Sequence, residues 1–173
     1  MPAGALKEIW ISWVPEGVVM LALSGEAPSR EEQRRWLPEL ETIPEREIPA
    51  PISDPLERYF RGEAVDPAAL PVRLGGTPFQ KRAWVALRNV PRGSVRTYAG
   101  LAADASSPRA MRAIGMAMGA NPIPIIVPCH RCVGAGFTLG GFSSGIENKR
   151  LLLELEGVRV DGDHVHPGQL GLL

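Results

Sequence analysis

The stretch from Asn121 to Pro128 holds Pro122, Pro124 and Pro128, with Ile123, Ile125, Ile126 and Val127 between them. Proline cannot donate to a helical ladder and its ring clashes with the preceding turn, and β-branched side chains crowd there too. No ordinary helix crosses these residues. The segment instead delivers Cys129 and His130 side by side, followed by Arg131 and Cys132. A thiol attacks as the thiolate, and a free pKa near ~8.5 leaves little of that at neutral pH. A neighbouring base is the usual remedy. In an extended strand the two side chains would point to opposite faces. Pro128 also suits the first position of a helical turn, where the pair would cooperate directly or through a water. A buried loop cysteine beside an incidental histidine is the bland alternative; the surroundings weigh against it.

With 173 residues and 45% apolar side chains, the chain has material for one domain or two small ones. No apolar run approaches the ~20 residues of a membrane span, and the N-terminus lacks the basic, apolar and small-residue succession of a secretory signal. Two cysteines three positions apart make no disulfide framework, so a reducing cytoplasm is the expected setting. A formal net charge of zero, taken alone, argues against nucleic acid. Its distribution argues otherwise. Residues 1–75 carry a net −5, residues 128–173 a net −1, and residues 76–127 a net +6, with Asp104 the sole acid of that central segment. Such a segment fits a phosphate-binding surface, the plainer reading being a solvated cationic face.

The expected fold class is α/β: a small N-terminal α+β domain with a β-hairpin over residues 1–75, linker included, and a mainly helical domain over residues 76–173. Ile9, Ile11 and Trp13 alternate with Trp10, Ser12 and Val14, Pro15 to Gly17 turns the chain, and Val18 to Leu23 returns. Ser29 to Glu32 has a capping-box pattern that opens a short helix to about Trp36, ended by Pro38. Residues 43–55, with four prolines, read as irregular connection. A further helix then begins near Pro55, has Leu56, Tyr59 and Phe60 on one face and stops at Gly62. Residues 63–76 read as a linker.

The second half is better punctuated. Thr77, Pro78 and Gln80 combine an N-cap, a proline at the first helical position and a capping-box glutamine. Thr97 caps a short helix from Tyr98. A turn at Ala105 to Ser107 follows, and Pro108 opens a helix whose apolar stripe is Met111, Ile114 and Met118. Two helices across a three-residue turn suggest a helix-turn-helix. Arg109 and Arg112 lie opposite that stripe, and Ala110, Ala113 and Ala117 keep the helix slim enough to lie against a nucleic-acid backbone. Residues 134–145 form a glycine-rich loop able to approach a ligand closely. No lysine follows it in phosphate-loop register. Ser144 to Glu147 reads as another capping box, opening a helix that runs to Glu156 and stops at Gly157. The last sixteen residues read as a polar tail or small hairpin.

With these residues in place, the chain resembles the O6-alkylguanine-DNA alkyltransferases, also called methylated-DNA–protein-cysteine methyltransferases. The resemblance runs from about Thr77 to Gly157. It is carried by Asn121-Pro122, by Pro128-Cys129-His130-Arg131, by the glycine-rich loop and by Glu156-Gly157. It implies that double-stranded DNA containing O6-alkylguanine, with O4-alkylthymine a further candidate, is bound and the damaged base flipped out. Cys129 is implied as the alkyl acceptor, His130 as a base acting through a water, Glu156 as its orienter and Asn121 as a brace of the active-site turn. Tyr98 is implied to crowd the target phosphate and protonate the departing guanine. Arg112 is implied to fill the vacated stack, with Arg109, Ala110 and Ala113 beside it at the DNA. Phe142, Ser143 and Ser144 are implied around the substrate, the backbone at Ser143 binding the guanine oxygen. The family implies no cofactor, a monomer and a cytoplasmic, DNA-associated place. Phe142 stands where many relatives have Tyr, and Cys132 where an aliphatic residue is commoner. Cys129 and Cys132 lack a thioredoxin-like context and too few N/S ligands accompany them for zinc, so no metal is expected. Two rivals are a non-catalytic damage sensor, which the presence of Cys129 opposes, and a Cys/His thiol enzyme.

Overall fold

The computed structural model describes residues 9–23, 26–36 and 47–166. The expected hairpin is present: β1 (Trp10–Val14) pairs antiparallel with β2 (Gly17–Ala22) across a turn at Pro15 and Glu16, with a register shift after Ser12. Gly17 starts β2 at φ 140°, and a Cβ there would come within 2.5 Å of the Pro71 backbone, so only glycine lets the two strands of chain meet. Residues 63–76 are correspondingly more than a linker. The Val18 N–H donates to Pro71 O and the Arg73 N–H to Val18 O, and residues 67–69 form a 3-10 turn capped by Asp66.

The capping box at Ser29 and Glu32 forms and opens α1 (Arg30–Trp36). Pro38 and the connection at 43–46 lie outside the described residues. The helix expected near Pro55 begins five residues earlier, as α2 (Ala50–Phe60). The first turn of a helix has no use for its N–H groups, so Pro51 is admitted there, and only Pro55 removes an internal donor. Gly62 ends it at φ 82° as expected.

In the second half, α3 (Pro78–Arg88) carries the full capping box of Thr77 and Gln80, and Thr97 caps α4 (Tyr98–Asp104). The next helix, α5 (Met111–Gly119), starts three residues later than Pro108. A separate turn intervenes, closed by the Ala110 N–H on Ser107 O and helped by Ser106 at φ 56°. Arg109 therefore belongs to the turn, Ala110 is the N-cap, and Met111 is 52% exposed, so the core stripe is Ile114, Ala117 and Met118. The capping box expected at Ser144 is absent; Gly145 at φ 93° is the N-cap of α6 (Ile146–Leu155) without a side-chain bond. The last described residues form the small hairpin β5 (Val160–Asp161) and β6 (His164–Val165).

One apolar core joins both halves. Val18 and Tyr59 share it with Trp84, Ile114 and Leu152. Trp36 meets Trp84 edge-on at 5.7 Å, and the Trp84 indole N–H donates to Ala117 O at 2.9 Å, tying α3 to α5. At the edge of that core, β3 (Arg96–Thr97) pairs in parallel with β4 (Cys132–Val133), whose Val133 belongs to a second apolar cluster with Val95 and Leu153. That short pairing sets the start of α4 beside the Cys129 turn.

Candidate active site

The proline-rich stretch follows a fixed, strained path. Ile125 sits at φ 75°, a left-handed conformation that a β-branched residue takes only under surrounding constraint. The constraint is visible. Asn121 Nδ2 donates to Val127 O at 2.8 Å, the Ile123 N–H donates to Asn121 Oδ1 at 3.0 Å, and the Leu21 N–H reaches across to Pro122 O at 2.8 Å. Asn121 thus stitches the loop to itself, and its Nδ2 also donates to Cys129 Sγ at 3.1 Å.

Residues 129–131 form a 3-10 turn capped by Pro128. That settles the choice between strand and turn in favour of the turn. The turn buries Cys129, His130 and Arg131 together. His130 Nε2 lies 2.9 Å from Glu156 Oε1. The same oxygen accepts from Tyr59 OH at 2.9 Å and Arg131 Nη2 at 2.8 Å, while Oε2 accepts from Arg131 Nε at 2.9 Å and the Gly93 N–H at 3.2 Å. Burial alone would raise the carboxyl pKa, but His130 and the Arg131 fork hold it well below the usual carboxylate range. An ionised Glu156 can only accept, so Nε2 of His130 carries the proton. Nδ1 is then left bare, and it is buried without a hydrogen-bond partner among the described residues. Burial also lowers the imidazole pKa against the pull of Glu156, so the ring is a neutral base.

Burial pushes the Cys129 thiol up, opposed by the Asn121 bond and by Lys149. Lys149 lies on α6, wholly buried, with Nζ donating to Cys132 O at 2.6 Å and to Leu139 O. It clamps β4 to the glycine-rich loop. Tyr98, at the start of α4, is half-buried, and its hydroxyl is pushed up to about 12 by burial and then by Cys132 and Cys129. The loop lies against that ring: a Cβ on Gly140, at φ 65°, would stand 3.7 Å from Tyr98 Cε2.

The structure thus gathers Cys129, His130, Glu156, Asn121 and Tyr98 around one turn. Phe142 is half-buried against the core, and Ser143 and Ser144 border a separate cavity of about 470 Å³ shared with Asn121, Pro124 and Trp36. Cys129 does not line that cavity. Arg109 and Arg112 stand exposed beyond the turn, and Ala110 and Ala113 are partly covered. Sequence reasoning missed four participants: Arg131, Tyr59, Asp66 and Lys149. Asp66 takes the other side of the Arg131 fork, at 2.8 and 3.2 Å. Arg131 was in the recognised motif; its neighbours Tyr59 and Asp66 carry no local signal at all.

Comparisons with known proteins agree on one family. The family model described as the DNA-binding domain of 6-O-methylguanine DNA methyltransferase matches residues 78–158. A methylated-DNA–protein-cysteine methyltransferase of Salmonella typhimurium is 48% identical over 109 residues, 63% of this chain and 64% of that protein. The matched part spans about two thirds or less of the curated relatives' length, as little as 57% for the Haemophilus influenzae protein. Among solved structures, OGT of Mycobacterium tuberculosis in complex with DNA superposes with a TM-score of 0.73 at 36% identity over 86% of each chain. An O6-methylguanine-DNA methyltransferase of Pyrococcus kodakaraensis gives 0.63 at 35% identity, covering 87% of this chain and 92% of that one. Among the described residues no helix is long and apolar enough to cross a membrane.

Proposed function

The chain belongs to the O6-methylguanine DNA methyltransferase family, and we propose that it repairs DNA by moving the alkyl group of O6-alkylguanine irreversibly onto Cys129. The observation that carries this is His130 held through Nε2 by Glu156 with its Nδ1 unpartnered, one residue from a cysteine thiol. His130 Nδ1 accepts the thiol proton through a water, and Glu156 stabilises the imidazolium that results. Sγ attacks the alkyl carbon in line, the S–C bond forms as the C–O bond breaks, and guanine leaves with the electron pair. Tyr98 stays protonated throughout the neutral range, because burial pushes its hydroxyl up to about 12, and supplies a proton to the departing base. Asn121 holds Sγ toward the substrate, and Phe142 walls the alkyl group while the backbone at Ser143 and Ser144 receives the base.

A base inside a duplex is out of reach and has to be flipped. The helix-turn-helix of α4 and α5 meets the duplex, Arg112 fills the vacated stack, and Arg109, Ala110 and Ala113 lie along the backbone. The protein works as a cytoplasmic monomer without a cofactor. The product thioether has no leaving group to regenerate the thiol, so each molecule acts once. Incubation with an O6-methylguanine duplex should add one methyl to the intact protein, located on Cys129 by fragmentation, with one base repaired per protein. Repeated turnover, or tight binding without a mass change, would overturn the proposal; the second result would favour the damage sensor.

A further inference from the structure

Cys132 is buried, free and outside the chemistry proposed above. Its N–H donates to the Cys129 carbonyl and closes the 3-10 turn. In such a turn the side chains at i and i+3 eclipse, and a rise of about 2.0 Å per residue separates the two Cα atoms by roughly 6 Å. Disulfides span Cα separations of roughly 4.4–6.8 Å. An extended path would have set them about 10 Å apart. Lys149 of α6 opposes the effect of burial on both thiols, both act on the Tyr98 hydroxyl of α4, Asn121 donates to Cys129 Sγ, and His130 is the titratable neighbour within their own turn.

We propose that Cys129 and Cys132 close into a reversible disulfide in the presence of a hydroperoxide, which gates the acceptor thiol by redox state. The gating, though not the closure, rests on the reading of Cys129 as acceptor. The Cys129 thiolate attacks a peroxide oxygen; the S–O bond forms, the O–O bond breaks, and the remaining oxygen leaves as water or alcohol. Sulfur has become a sulfenic acid. Cys132 then attacks that sulfur and gives up its proton, the S–S bond forms, and the S–O bond breaks to release water. Two thiols have lost two hydrogens and one hydroperoxide has been reduced. A dithiol reverses the closure by exchange.

Burial works against the second step, because it pushes Cys132 up to about 12 despite Lys149 and keeps its thiolate scarce. Proximity works for it: groups held in reacting range reach effective concentrations of about 10⁵ M or more, which no dissolved thiol matches. Cys129 is 5% exposed and Cys132 fully covered, so oxidant meets Cys129 first and Cys132 only resolves. The gain is recoverability. An acceptor without a resolving partner proceeds to the sulfinic acid, which dithiols do not reduce.

The experiment compares the full chain with Cys132→Val and Cys132→Ser under graded hydrogen peroxide. Wild type should lose two hydrogens by intact mass, lose methyl transfer to an O6-methylguanine duplex by more than tenfold, and regain both with dithiothreitol. The variants should transfer normally before oxidation, gain oxygen at Cys129, and recover far less. Oxygen gained at Cys129 in wild type without disulfide, or no reaction at all, would overturn the gate. A disulfide that forms in a protein unable to methylate Cys129 would leave the thiol pair standing and remove the alkyl-transfer reading instead.

Discussion

At the scale of single residues, the site is arranged so that two pKa values move apart. His130 is shifted down from 6.5 by burial, and Cys129 is shifted up from 9.0 by burial. Between them the neutral pair, thiol and imidazole, is the resting state. A rate that needs that pair is flat until one member titrates, so single-turnover transfer at saturating duplex should show no inflection near 6.5. An inflection there would mean the imidazole titrates like a free one. Stability should follow the same groups. A histidine whose folded pKa is depressed binds fewer protons folded than unfolded, so stability falls as pH drops below 6.5. Glu156, also depressed, stabilises above its ordinary 4.5 and loses that contribution as pH falls below it. Urea midpoints should therefore decline steadily on the acid side. Glu156→Gln removes the charge that Arg131 and His130 face in a fully buried place; breaking such a pair costs about 3–5 kcal/mol, and losing the base's orientation about tenfold to a hundredfold in transfer rate. A variant with unchanged urea midpoint would show that the fork is not holding the turn.

At the scale of elements, local signals were legible and distant ones were not. Thr77 and Thr97 were read correctly because capping is settled within three residues. Pro108 misled because a proline that suits a first helical position equally suits a turn, and Ser106 at φ 56° supplies that turn. The tie from Tyr59 to Glu156 crosses 97 residues, and a buried lysine such as Lys149 reads as surface until its two carbonyl partners are seen. The later start of α5 leaves Arg112 in its first turn, exposed, with Met116 76% exposed further along. A Cβ on Gly115 or Gly119 would meet nothing within 4 Å, so the outward side of α5 is open and narrow. On the proposed reading, stacking by Arg112 into the space of a flipped base would offset an unstacking cost of a few kcal/mol, which a free base never incurs. Arg112→Ala should slow transfer from an O6-methylguanine duplex by about tenfold to a hundredfold while leaving reaction with free O6-benzylguanine within a factor of two. Equal losses on both substrates would put Arg112 in the folding of the site.

At the scale of the whole molecule, the halves of the chain divide the charge and the structure divides it again. The central segment carries seven cations, but three of them are engaged by other groups of the chain. Arg88 donates to Ala68 O and Leu70 O, Arg92 to Leu155 O, and Arg96 is paired with Asp104. Lys81, Arg82, Arg109 and Arg112 are the exposed remainder. The composition suggested a broad basic face; the folded chain presents a sparse one, because arginines in this segment also anchor the residues 66–70 and the end of α6. Each phosphate neutralised on duplex DNA contributes about −0.9 to the slope of log affinity against log salt. Four cations therefore predict a slope of about −3 to −4 for undamaged duplex, shallow for a DNA-binding protein. Arg109→Ala should reduce its magnitude by about one phosphate's share. Arg88→Ala should leave the slope unchanged and lower thermal stability instead, since its guanidinium holds two backbone carbonyls. Fluorescence anisotropy across a salt series measures all three. A wild-type slope steeper than about −6 would require more phosphate contacts than the exposed cations of this central segment can supply, and a slope near zero would remove the phosphate-tracking surface altogether.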